Sequence, residues 1–171
     1  QTISPAGTFT QVSAGDLHAC GQKSDGTLVC WGLNDKTQST PPIGTFTQVS
    51  AGYLHTCGLR GDGTPACWGD NEFGKSTPPS GELFSRVQVS AGVNHTCAVK
   101  SDGTVVCWGL NDDGESSPPS GTFSQISTRS SYSCGLKNDG MVVCWGANIG
   151  ELIPPSGTFS QISARYSYAC G

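Results

Sequence analysis

Eight of the nine cysteines stand in four pairs, ten residues apart: Cys20 and Cys30, Cys57 and Cys67, Cys97 and Cys107, Cys134 and Cys144. Two chemistries fit that spacing. Each pair can close a disulfide, or it can join the histidine two positions before its first member (His18, His55 or His95) as a three-ligand zinc set. The chain itself compares the two. Where the first three units carry histidine, the fourth and fifth carry Tyr132 and Tyr168, yet their cysteines remain. Cysteine pairing therefore does not depend on histidine, and disulfides are expected, with no metal.

The element that must position each pair is legible between its members. Ser24-Asp25-Gly26 reads as a three-residue hairpin loop, with glycine supplying the left-handed residue of a bulge. Counting back from Lys23 opposite Thr27 places Gln22 against Leu28, Gly21 against Val29 and Cys20 against Cys30. If Lys23 and Thr27 are hydrogen-bonded, the cysteines fall on a non-hydrogen-bonded pair, where facing side chains approach most closely. Asp62-Gly63, Asp102-Gly103 and Asp139-Gly140 give the same count. Each disulfide would close a short loop and contribute about 2–3 kcal/mol. Such density implies an oxidising compartment, hence a secreted or cell-surface chain.

The hairpins belong to a longer repeat. Cys-Trp-Gly recurs at Cys30, Cys67, Cys107 and Cys144, and the first cysteines of successive units are 37, 40, 37 and 36 residues apart. Every unit opens with an extended segment rich in Thr, Phe, Val and Ser. It passes through the hairpin and ends in a polar loop before a Pro-Pro pair that cannot continue a ladder. The units run 7–43, 44–80, 81–120, 121–156 and, truncated, 157–171. Three or four short strands per unit is the pattern of a propeller blade or a solenoid coil.

Composition closes off other classes. Gly (24) and Pro (10) among 171 residues argue against a helical bundle. A net charge of −4 without a basic stripe argues against nucleic-acid binding. No apolar run approaches the ~20 residues of a membrane span. Enzyme signals are missing: there is no Gly-x-Ser-x-Gly elbow, and the glycines follow the repeat rather than a phosphate cradle. Asp25, Asp62, Asp102 and Asp139 each precede glycine in a turn, where aspartate caps its own backbone. Asn111-Asp112-Asp113-Gly114-Glu115 lacks the rest of a calcium loop and reads as a polar turn. No catalytic residue and no cofactor is expected.

Other residues invite a role. His18, His55 and His95 are expected between neighbouring units, bonded to backbone, and Trp31, Trp68, Trp108 and Trp145 in blade-to-blade packing. Asn94-His95-Thr96 is an N-glycosylation sequon. Gly15, Gly52 and Gly92 give way to Arg129 and Arg165 in the last two units, close to Tyr132, Tyr166 and Tyr168. Arg and Tyr together form a candidate interface.

The pattern carried by Gly52, His55, Thr56, Cys57, Asp62, Gly63, Cys67, Trp68, Gly69 and Asn71 resembles the repeat of the regulator of chromosome condensation (RCC1) superfamily. The resemblance covers essentially the whole chain. The paired cysteines are similar to the secreted branch, which includes crinkly-type receptor ectodomains and bacterial and algal surface proteins. It implies an all-β propeller of about seven four-stranded blades, which at this period needs roughly 260 residues. Four full units and a half unit are therefore expected to form an open or partial ring, or a superhelical stack. Cys170 has no mate within the pattern and is expected to pair with another molecule or a missing half-unit. The function expected is a non-catalytic extracellular scaffold, structural or adhesive. It would assemble with further copies, or with the remainder of a longer array, into a fibre or surface layer. The alternative is a recognition ectodomain that binds a protein or glycan through propeller loops. An intracellular nucleotide-exchange factor, like the superfamily's founding member, is disfavoured by the cysteines.

Overall fold

The computed structural model describes residues 5–147, 156–165 and 168–170. Among the described residues it is all-β apart from a three-residue 3-10 turn at Glu72–Gly74, in which Phe73 is left-handed (φ 65°). The first sheet comprises β1 (Gln11–Ala14), β2 (His18–Gln22) and β3 (Leu28–Gly32). The second comprises β4 (Phe46–Ala51), β5 (His55–Arg60) and β6 (Pro65–Gly69). The third holds β7 (Phe84–Ala91), β8 (His95–Lys100) and β9 (Val105–Gly109), and the fourth β10 (Phe123–Thr128), β11 (Tyr132–Lys137) and β12 (Val142–Gly146). A two-stranded sheet of β13 (Ser163–Arg165) and β14 (Tyr168–Cys170) follows. All pairings are antiparallel and sequential.

Each four-stranded blade implied by the resemblance is a three-stranded sheet among the described residues. The proline-paired crossover supplies no fourth strand, because proline has no N–H to give a ladder. Among the described residues the ring is not closed. Within each hairpin the register pairs Cys20 with Cys30, Cys57 with Cys67, Cys97 with Cys107 and Cys134 with Cys144. Lys23 N–H donates to Thr27 O at 2.9 Å, and Gly26 takes the left-handed conformation (φ 82°) that the bulge demands.

The core lies between sheets, not within them. Cys57 and Leu59 of the second sheet pack on Phe84, Val89, Ala98 and Trp108 of the third. Cys97, Val99 and Val105 pack in turn on Phe123, Ile126 and Trp145. Middle strands such as β5 and β8 are therefore buried on both faces and read as continuous buried runs. No sheet can bury its surface alone.

The two ends of every sheet differ. The hairpin turns (23–27, 60–64, 100–104, 137–141) lie at one end. At the other, the loop before the middle strand meets the loop after the third: Leu33, Asp70, Leu110 and Ala147 N–H groups donate to Leu17, Leu54, Asn94 and Ser131 carbonyls.

Candidate functional site

The junctions between sheets hold most of the buried polar groups. His18 Nε2 lies 2.6 Å from Thr56 Oγ1, His55 Nε2 2.8 Å from Thr96 Oγ1, and His95 Nε2 2.8 Å from Ser133 Oγ. Each hydroxyl donates its own proton onward, to the carbonyls of Gln38, Lys75 and Glu115. The imidazole must then be the donor through Nε2. The same carbonyls accept the indole N–H of Trp68, Trp108 and Trp145 at 2.9–3.0 Å. The histidines thus bond the next sheet's hydroxyl rather than backbone directly, and a carbonyl ends the relay.

Burial disfavours a charged ring. It is the main cause that holds His55 down to about 3, the Lys75 ammonium adding to it, and His95 down to about 4. His18 is lowered by burial, with Asp16 opposing. Lys75 is 1% exposed, and its ammonium is met by Asp70 at 2.6 Å and Asn94 Oδ1 at 3.3 Å. That ion pair holds the Asp70 carboxyl below its usual range, the Lys75 hydrogen bond being the largest cause.

A second set of bonds zips the first strands together. Gln11 takes both the N–H and C=O of Val49, and Ser13 Oγ accepts from Ala51 N–H at 2.9 Å. Gln125 likewise takes both groups of Ile162, and Gln48 and Gln88 accept from the N–H of Val89 and Ile126, while Ser50, Ser90 and Ser127 accept from Ala91, Thr128 and Ala164 N–H. Each Gln-x-Ser satisfies N–H groups that a free strand edge would leave open.

The glycine row has a steric cause. A Cβ on Gly15, Gly52 or Gly92 would meet the carbonyl oxygen of Gly52, Gly92 or Arg129 well inside contact distance. Tyr53 and Val93 N–H groups donate to two of those carbonyls, Gly92 O and Arg129 O. Where the row ends, Arg129 Nη2 reaches Asp16 Oδ1 of the first sheet at 2.8 Å.

The profile of the regulator of chromosome condensation (RCC1) repeat matches residues 9–38, 46–75 and 87–115. The chain belongs to the RCC1-repeat family. Among solved structures it is similar to the entire ectodomain of the Physcomitrella patens receptor kinase CR4, with 29% identity and a TM-score of 0.75. That match covers 91% of this chain and 44% of the other. Similarity to the CRINKLY WD40 ectodomain of the Arabidopsis thaliana receptor kinase ACR4 is 30% identity at a TM-score of 0.72, covering 91% of this chain and 55% of that one. Human WBSCR16 (20% identity, TM-score 0.72, covering 88% and 50%) shares the fold. The chain spans about half the length of these relatives. No curated protein sequence matches it.

In this RCC1-repeat chain the paired cysteines form disulfides Cys20–Cys30, Cys57–Cys67, Cys97–Cys107 and Cys134–Cys144, with Cα separations of 4.0–4.1 Å. Among the described residues no cluster of His, Cys, Asp or Glu could hold a metal ion, and no helix is long and apolar enough to cross a membrane. Asn94 of the sequon points its Oδ1 at Lys75, and Thr96 of the sequon is fully buried. The Arg–Tyr interface is not what the fold builds around residue 129. Arg129 is ion-paired within the chain, and Tyr132 is 3% exposed in the core with Leu136 and Ile162. The backbone of Arg165, Tyr168 and Cys170 lies in β13 and β14, while Tyr166 lies outside the described residues. Sequence reading missed the Gln-x-Ser zipper, although its glutamines recur with the repeat at 11, 48, 88, 125 and 161. It also missed the loop end, where Leu17, Tyr53 and Phe73 remain 45%, 37% and 49% exposed.

Proposed function

We propose that this chain is a non-catalytic extracellular recognition module that binds a protein partner through the loops at one end of its sheets. The observation that carries the reading is the division of labour along each sheet. Histidines, tryptophans, Gln-x-Ser pairs and disulfides are used up between sheets, whereas the loops keep large apolar side chains in water, Ile43, Leu83 and Met141 at the hairpin end and Leu17, Tyr53 and Phe73 at the other. Charge tells the two ends apart, since Asp35, Glu72, Asp112 and Asp113 are exposed at the second end with Lys36 as the exposed cation among the described residues there. Function on such a scaffold belongs to the loops, which a rigid array presents in fixed order. The likeness to two receptor-kinase ectodomains supports an extracellular setting, as do four disulfides. The test is saturable binding of the oxidised chain to an array of extracellular protein domains and, in parallel, of glycans. Binding to a protein domain supports the reading; binding to glycans alone, or to neither, overturns it.

A second reading, the self-assembling scaffold, is favoured by one feature. Gln161 and Ser163 repeat the zipper pattern and are exposed. At the other extreme, Gly15 N–H turns inward to His18 O, so the alternate N–H groups of Val12 and Ala14 face the free edge of β1. Among the described residues each of these faces is complementary to a further unit of the repeat, whether that unit belongs to a longer chain or to a second copy. Sedimentation velocity across a concentration series, with Gln161→Ala and Ser163→Ala as controls, tests it.

A further inference from the structure

We propose that the loop end docks a basic peptide segment anchored by aliphatic or aromatic side chains. This rests on the recognition reading and names the partner's chemistry. It begins from how charge divides between the two ends. At the hairpin end, Lys23, Arg60, Lys100 and Lys137 alternate with Asp25, Asp62, Asp102 and Asp139, one cation for each turn aspartate. Glu82 there is 3.3 Å from Lys100 and shares it with Asp102, so five carboxylates stand with four cations.

The loop end is different. Asp35, Glu72, Asp112 and Asp113 are exposed on the outer loops of three successive sheets, facing one exposed cation, Lys36. Of the other described cations at this end, Lys75 is buried against Asp70 and Arg129 is held by Asp16. The surface charge that remains is anionic.

Large apolar side chains are exposed at both ends, Ile43, Leu83 and Met141 at the hairpin end among nearly balanced charges, and three others at the anionic loop end. Leu17 and Tyr53 come from the loops before β2 and β5, on adjacent sheets whose glycines touch. Phe73 comes from the outer loop of the second sheet, half exposed at a φ of 65°. The equivalent loop positions in the neighbouring units are Lys36 and Asp113, so packing does not demand an aromatic there. Aromatic and aliphatic anchors at the same end as exposed carboxylates match lysine and arginine, whose stems lie on apolar surface while their heads reach acids. Nucleic acid and acidic segments are repelled by the same field.

The probe is the fluorescein-labelled peptide Lys-Leu-Lys-Tyr-Lys-Leu-Lys, followed by anisotropy against the oxidised chain. Glu-Leu-Glu-Tyr-Glu-Leu-Glu and Lys-Gly-Lys-Ser-Lys-Gly-Lys serve as controls. Saturable binding of the first peptide alone is expected. It should weaken at least about tenfold in Tyr53→Ser with Phe73→Gly, and separately in Asp112→Asn with Asp113→Asn. The charge-matched hairpin-end variant, Asp62→Asn with Asp102→Asn, should bind as the unmodified chain does. Equal loss in the hairpin-end variant, equal binding of the Gly-Ser peptide, or no saturable binding overturns the proposal. A concentration-dependent dimer abolished by Tyr53→Ser would assign the face to a second copy and overturn it too. Protein binding on the domain array that these loop-end variants leave intact would sink this inference alone and keep the recognition reading.

Discussion

Arg129 of the fourth sheet bonds Asp16 of the first, Nη2 to Oδ1 at 2.8 Å, with the two side chains 25% and 12% exposed. The sheets therefore curve about a common axis tightly enough for the first and fourth to touch. Arg129→Gly or Asp16→Asn should each cost about 1–2 kcal/mol, between the values for surface and buried pairs. The double variant should cost little more than either single one. Urea denaturation of the full cycle checks this; additive losses would mean that the pair is not coupled.

The glycine row gives a sharper steric test. Gly52→Ala places a Cβ against Gly92 O, whose position is fixed by Tyr53 N–H. A loss of about 2–3 kcal/mol is expected from backbone that cannot yield. Gly61→Ala, with nothing within 4 Å of the added carbon, should be nearly neutral. Thermal melts of the two variants decide it, and similar midpoints would contradict the close approach.

That row also shows how far the sequence could be read. The repeat, the hairpin register and the pairing of cysteines were legible because they are local: a ten-residue spacing and an Asp-Gly turn determine who faces whom. Glycine at 15, 52 and 92 was visible as a pattern, but its reason was not, since the carbonyl it accommodates belongs to the next sheet. Arg129 and Tyr132 looked like an exposed pair for the same reason. The sequence shows their types, whereas only the curvature of the array brings Asp16 within reach and buries the tyrosine. Leu17, Tyr53 and Phe73 carried no sequence signal, because an exposed apolar side chain is recognisable only once the buried ones are known.

Acid should loosen the junctions. In the folded chain His55 and His95 titrate at about 3 and about 4, below the usual histidine value of 6.5. Between those values and 6.5 the unfolded chain binds more protons than the folded one, so stability falls as pH drops. The contribution is complete above pH 6.5. Each ring adds up to about 1.4 kcal/mol per pH unit through the window. Denaturant midpoints from pH 7.5 to 4.5 should decline, and His55→Gln should flatten the slope. An unchanged slope in that variant would show that the fall has another source.

The zipper predicts a cost for small polar changes. Ser50→Ala removes the acceptor of Ala91 N–H, at 3.0 Å, and leaves that buried group unpaired. About 1–2 kcal/mol should be lost. Ser80→Ala, on an exposed turn, should change little. Hydrogen exchange should show faster opening at Ala91 in Ser50→Ala; unaltered protection there would contradict the bond.

The most direct test of the central claim, that each unit is stapled within its own hairpin, is a non-reducing peptide map with intact mass after thiol alkylation. The account predicts a mass eight hydrogens below the reduced chain, with linked peptides Cys20–Cys30, Cys57–Cys67, Cys97–Cys107 and Cys134–Cys144. Alkylation of these cysteines without prior reduction, or links that join different units, would contradict it.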